Sequence, residues 1–346
     1  MAVYNTAKIL LWRKPLKRLL LLLATLTLGA TARAEVPEVR IARQFSMGYL
    51  QLNVLEHEKL IQKHAALLGI PEVKVTAYKF NGPAAMNDAL LSDSIDVVSG
   101  SPQGMLTIWS RTRGTPSEIR ALSALATLPF MLNTNNPDIK TVDDLAKCNK
   151  IAVPSVKVSA QAVSIQKAAA TAYGMKDFAR YDQYTVSMSP PDSTLALLSG
   201  TSEVACNFAV PPYLQQQLQN ASIHTVLNSF DVWGKPNTFT TVYMSSKFRA
   251  KNPILFKAIY NALQEATARV NAEPATAARY WIEDGESKLP LDFVTSVATA
   301  PGTRWTMTPE GTEDVASFMY DIGTLKAKPG SWKDYFFPEA YDLSGS

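Results

Sequence analysis

A short pattern occurs twice in this chain with one internal spacing, and it restricts the fold more than any other feature. Ala89-Leu90-Leu91-Ser92, three residues, then Asp96-Val97 returns as Ala196-Leu197-Leu198-Ser199, three residues, then Glu203-Val204. The same order of elements is read around both copies. In the first unit a strand over 39–42 leads through the loop 45–49 to a helix over 50–68, which Gly69 and Pro71 stop. A strand over 73–78, the turn Asn81-Gly82-Pro83, a helix through Leu91 and a strand over 95–99 follow. In the second unit the matching series is a strand over 150–153, a loop over 154–159, a helix over 160–173 ended by Gly174, a strand over 184–187, the turn Ser189-Pro190-Pro191-Asp192, a helix over 193–198 and a strand over 203–208. Strands alternating with helices build a parallel sheet, and two such series in one order predict two homologous lobes of an α/β protein, each a βαβ sheet flanked by helices.

The chain of 346 residues is long enough for two lobes. After residue 230 the sequence reads as a strand over 239–244 and amphipathic helices over 253–271, 274–283 and 309–322. The simplest topology gives residues 35–128 to lobe I, 129–228 to lobe II, and 229–346 to a return to lobe I and its C-terminal helices. The chain then crosses between lobes twice, near 127–134 and near 227–234, and two crossings make a hinge with a cleft beside it.

Residues 1–34 read as a cleaved secretory leader. Lys8, Arg13, Lys14, Lys17 and Arg18 precede the apolar run 19–30, and Ala32-Arg33-Ala34 offers a cleavage site after Ala34. That segment holds six of the Lys and Arg and no acidic residue, so removing it changes the net charge from +4 to −2. The basic balance belongs to the leader, and nucleic acid is not an expected partner. Export also bears on Cys148 and Cys206, because a disulfide persists outside the cytoplasm. Both are read in or beside strands of one lobe, and the spacing leaves open a bridge or two buried thiols.

In open parallel sheets the loops at the carboxyl ends of the strands line a crevice, into which the following helices aim their N-terminal N–H groups. Such a crevice suits an anion. The loops in those positions carry Ser46, Gly48 and Tyr49; Asn81 and Gly82; Ser101 and Gln103; and Lys157, Ser159 and Gln161. Glycine admits a close backbone approach, hydroxyls and amides donate hydrogen bonds, and an aromatic ring supplies an apolar wall. Lys157 is the cation read in a second-lobe strand-to-helix loop, and Arg43, directly after the first strand, competes with it for a charge-neutralising role.

The stretches "VRIARQFSMGYLQLNVLEHEKLIQKH" from Val39 to His64, "ALLSDSIDVVSGSPQGM", "PFMLNTNNPDIKTVDDL" before "KIAVPS", and "LLSGTSEVACNFAVPPY" resemble the periplasmic substrate-binding proteins of nitrate, sulfonate and taurine ABC importers. The resemblance spans essentially the whole exported chain. It implies the type II periplasmic-binding-protein fold, closure of the lobes on a solute, no catalysis, no cofactor, and delivery by a periplasmic monomer to an ABC permease in the inner membrane. It also adds Asn207 and Phe208 to the expected contacts. The resemblance specifies no ligand; the helix N-termini and polar donors favour a small organic anion such as a sulfonate or carboxylate, with a neutral pyrimidine as the alternative.

Two rivals come from other classes. A sensing module on the same fold would present a ligand-dependent surface to a receptor. A serine acyl-enzyme is suggested only by Ser164-Ile165-Gln166-Lys167, without the accompanying Ser-Asp-Asn or Lys-Thr-Gly. The three histidines, His57, His64 and His224, form no His-Glu-x-x-His zinc motif.

Overall fold

A computed structural model of the chain describes Met1 and residues 35–285 and 287–346. The expected leader over residues 1–34 lies outside the described residues, apart from Met1. No described helix is long and apolar enough to cross a membrane.

The first strand, β1 (Glu38–Arg43), pairs in parallel with β2 (Lys74–Lys79) on one side and β3 (Val97–Gly100) on the other. A strand enclosed in this way is apolar through its middle, and Val39, Ile41 and Ala42 are fully buried. The helix expected over 50–68 is instead two helices, Leu50–His57 and Leu60–Leu67. Lys59 takes a left-handed conformation, φ 50°, at the junction, and no glycine or proline signals it in the sequence.

After β4 (Ile119–Thr127) the chain leaves this sheet and enters a second at β5 (Met131–Thr134). There β6 (Ile151–Val153), β7 (Thr185–Ser187), β8 (Cys206–Ala209) and β9 (His224–Asn228) follow, before β10 (Thr238–Ser245) and β11 (Arg304–Trp305) rejoin the first sheet. The sheet orders are β11-β4-β10-β3-β1-β2 and β7-β6-β8-β5-β9. In both, the opening strand of the βαβ series lies between the second and the third, and all three are parallel. The next neighbour in both is an antiparallel strand next to a crossing segment, β10 against β3 and β5 against β8. The protein is thus a two-lobed α/β fold with a double-crossing hinge. Phe130, on the outward crossing, joins the two cores, with its ring 5.1 Å from Phe208 and 5.4 Å from Phe239.

The internal repeat sets the helix ends well and the following strands less well. Val97 opens β3, but its sequence counterpart Val204 precedes β8, which opens at Cys206. Gly200, at φ 68°, ends the helix Pro190–Ser199, and the exposed residues 201–203 carry the chain to the sheet.

Cys148 and Cys206 form a disulfide, with Cα atoms 5.4 Å apart. It ties the end of the turn of helix Val142–Cys148 to the first residue of β8.

The long helix Pro253–Ala272 packs along Leu60–Leu67. Glu265 accepts hydrogen bonds there from Lys63 and Arg269 and contacts His64. These contacts, Lys63 first, pull its carboxyl down to about 2. A carboxylate whose folded value is depressed stabilises the fold above its unfolded value, near ~4.3, and loses that contribution as pH falls toward the folded value. Glu265→Gln should therefore cost about 0.5–1 kcal/mol at neutral pH, the scale of a surface ion-pair network. Urea unfolding of both proteins should show this gap narrowing from pH 5 downward; a gap that does not change with pH would contradict it.

Candidate functional site

Ser46 starts the helical region after β1, Ser101 caps the helix Pro102–Thr112, and Ser159 caps the helix Ala160–Tyr173. Each side chain accepts from the first turn that follows: Ser46 Oγ from Gly48 N at 2.9 Å, Ser101 Oγ from Gly104 N at 3.3 Å, and Ser159 Oγ from Ala162 N at 3.3 Å. Ser189 caps Pro190–Ser199 in the same way. These four starts, two from each lobe, converge on one narrow space. Ser46, Tyr49, Ser101, Ser159 and Gln161 line it together with Gln44, Pro190 and Phe239. Helix starts from both lobes bordering one space favour an anion there, because their first N–H groups carry partial positive charge.

The lobes are shut on this space. Met47 N donates to the Pro211 carbonyl at 2.9 Å, and Ser46 Oγ donates to the same oxygen at 3.2 Å. Gly82, before the helix Pro83–Leu91, lies so close to the loop after β6 that an added Cβ would stand 2.2 Å from the Pro154 carbonyl oxygen. The room left is about 10 Å³, enough for the centre of a single water.

Of the sequence-predicted residues, Gly48, Asn81, Gly82, Gln103, Lys157, Asn207 and Phe208 are not among those lining this space. Gly48 lets the helix start rest on β10, where an added Cβ would meet the Phe239 ring at 2.7 Å. Tyr49 accepts from Gln44 Nε2 at 3.1 Å, and burial raises its phenol far above the usual range, so it stays neutral. Gln103 lies inside the helix capped by Ser101, with a buried Oε1 that lacks a partner among the described residues. Asn207 donates to Ser193 Oγ at 2.9 Å behind the space, and Phe208 packs in the hinge core. Asn81 and Lys157 are exposed, and Lys157 has a positive φ of 63°. Ser164 is fully buried and accepts from the Trp233 indole at 2.9 Å, while Lys167 lies over the rings of Trp233 and Phe318. These two side chains serve packing.

A second, wider cavity of about 480 Å³ shares Gln44, Phe45 and Ser46 with the narrow space. Sequence reading missed most of it. Arg43 and Lys79 come from the ends of β1 and β2, Trp281 and Asp284 from the helix Pro274–Gly285, and Tyr213 and Gln216 from the helix Tyr213–Leu218 of the other lobe. Arg43 is 3% exposed. Its Nη2 donates to Glu56 at 3.0 Å and to Asp284 at 3.4 Å. Burial raises the Glu56 carboxyl, against the pull of Arg43. Position directly after the strand read over 39–42 singles out Arg43 in the sequence; no local signal places Trp281, whose indole donates to the Ser46 carbonyl at 3.3 Å across 235 residues.

The family model described as the NMT1-like family matches residues 32–282. The chain belongs to the NMT1-like family. This NMT1-like chain superimposes on the alkanesulfonate-binding protein SsuA from Xanthomonas axonopodis pv. citri bound to MOPS with a TM-score of 0.66 and 18% identity, covering 85% of this chain and 96% of that one. The periplasmic aliphatic sulphonate-binding protein SsuA from Escherichia coli gives 0.63 and 18%, over 89% and 100% of the two chains. The periplasmic nitrate-binding protein NrtA from Synechocystis PCC 6803 gives 0.68 and 16%, over 88% and 87%. No curated protein matches. At these identities the likeness establishes the fold, and it agrees with the sulfonate and nitrate resemblance read from the sequence. The named neighbours are binding proteins, not enzymes.

Proposed function

We propose that this NMT1-like protein is an extracytoplasmic solute-binding protein. It captures a small organic anion, a sulfonate or carboxylate, between its lobes and presents it as a monomer to an ABC permease in the inner membrane. The observation that carries this reading is the convergence of four serine-capped helix starts, two from each lobe, on one space. The shut form leaves that space room for one water, so an organic anion enters with the lobes apart and extends into the adjoining cavity of about 480 Å³, gaining from both lobes at once. The fold shared with sulfonate- and nitrate-binding proteins supports the class of cargo, and the basic-then-apolar segment 1–34 supports export.

A thermal-shift screen of sulfonates, carboxylates, nitrate and pyrimidines should find a solute that raises the melting point, as any ligand selective for the folded form must. Small-angle scattering with and without that solute should then show a smaller radius of gyration when it is bound. Gln161→Phe or Ser159→Phe should weaken binding about tenfold or more while leaving the protein folded, because each side chain borders a space with room for one water. Unchanged calorimetric affinity in both variants would remove these residues from the site, and identical scattering profiles despite tight binding would remove closure from the mechanism.

A further inference from the structure

Asn81-Gly82 is the one Asn-Gly pair in the sequence, and it forms the turn between β2 and the helix Pro83–Leu91. An asparagine before glycine can react with its own chain, because no side chain shields the glycine nitrogen from the neighbouring carboxamide and the glycine backbone turns freely. Elsewhere the fold restrains asparagine side chains. Asn87, Asn133 and Asn207 hold buried hydrogen bonds, and Asn220, exposed in its own turn, accepts from Ser222. Asn81 is exposed, and neither its carboxamide nor the Gly82 N–H has a hydrogen-bond partner among the described residues.

The turn also meets the second lobe. Gly82 rests on the loop after β6 with no room for one more atom, since an added Cβ would stand 2.2 Å from the Pro154 carbonyl oxygen and 2.4 Å from Ser155 Oγ. Next to it, Ala84 N donates to the same Ser155 Oγ at 3.5 Å, and Pro83 borders the narrow space between the lobes. The most reactive amide of the chain therefore stands where the lobes touch.

We propose that Asn81-Gly82 is a site of spontaneous deamidation whose product keeps the lobes from shutting. The Gly82 nitrogen gives its proton to solvent base and bonds to Asn81 Cγ; the Cγ–Nδ2 bond breaks and ammonia leaves, which closes a five-membered succinimide. Water then opens the ring, its hydroxyl going to carbon and its proton to nitrogen. Opening at the former side-chain carbonyl gives aspartate, and opening at the backbone carbonyl gives isoaspartate. In isoaspartate the Cβ belongs to the main chain, so Gly82 moves by about 1.5 Å, one bond length, at a contact that has no slack. Both products also put a carboxylate ahead of the helix Pro83–Leu91, where it competes with a bound anion for the same partial positive charge. The inference rests on closure as part of the solute-binding reading.

The test is to age the protein in warm, mildly alkaline buffer and map its peptides, with isoaspartate assayed by enzymatic methylation. Asn81 should convert about tenfold or more faster than Asn149 and Asn220, which are also exposed but precede lysine and alanine. Asn81→Gln should remove most of the isoaspartate, because glutamine closes the larger ring far more slowly. Hydrogen exchange at Met47, whose N–H reaches the Pro211 carbonyl of the other lobe at 2.9 Å, reads the shut state without added solute. It should be about threefold or more faster in the aged parent than in the fresh one, and unchanged by ageing in Asn81→Gln. Conversion at Asn81 no faster than at Asn149 and Asn220 would overturn the site. Conversion that leaves Met47 exchange unaltered would overturn its effect on closure. The solute-binding reading would survive either result, since the thermal-shift screen of fresh protein tests it separately.

Discussion

With valine at position 82 the two lobes should be unable to meet. The backbone of Gly82 is extended, φ −168° and ψ 168°, a conformation any residue adopts, so the substitution leaves lobe I itself undisturbed. The obstacle is across the gap. Even a Cβ would lie 2.2 Å from the Pro154 carbonyl oxygen and 2.4 Å from Ser155 Oγ, and restoring ordinary contact requires separating the lobes by about 1 Å or more. With the solute chosen by thermal screening present, Gly82→Val should keep the larger radius of gyration in scattering, bind at least about 100-fold more weakly, and melt within about 2 °C of the parent, since the mutation is not in a core. A variant that contracts and binds like the parent would show that contact between Gly82 and Pro154 is not needed for the bound state.

Loss of the disulfide is expected to have the largest effect on stability. The bridge encloses a loop of 58 residues, and the restriction it places on the unfolded chain amounts to about 4 kcal/mol by loop entropy. That corresponds to a fall of roughly 6 °C in melting temperature for a protein of this size. Cys148→Ala with Cys206→Ala, compared by calorimetry with the parent, should show it, and the parent in reductant should move toward the double variant. A change below about 2 °C would mean that the second sheet holds its strands without the bridge.

The sequence made the fold legible because its repeat couples a helix end to the next strand through apolar residues that both lobes bury, as Leu90 and Leu197 do. The helix Ala160–Tyr173 was readable to the residue because Ser159 and Gly174 mark its ends. The break at Lys59 was not, since a left-handed lysine held by tertiary packing leaves no local mark. The cysteine pairing was undecided for a similar reason: only the parallel pairing of β6 with β8, which sets Ile151 beside Cys206, brings the two thiols near. For the candidate site, caps such as Ser46, Ser101 and Ser159 are recognisable because hydroxyls before helices follow a local rule. The wall formed by Trp281 and Tyr213 comes from helices far apart in sequence, and only the folded arrangement assembles it.

The placement of β10 has a consequence for biosynthesis. All five strands of the second sheet lie within residues 131–228, while the first sheet waits for residues 238–245 to fill the position between β3 and β4. A chain emerging from its N-terminus can therefore complete the later lobe first, leaving the earlier one as a three-stranded ribbon and a lone strand until β10 arrives. Truncation before residue 245 should spare the second lobe and abolish the first.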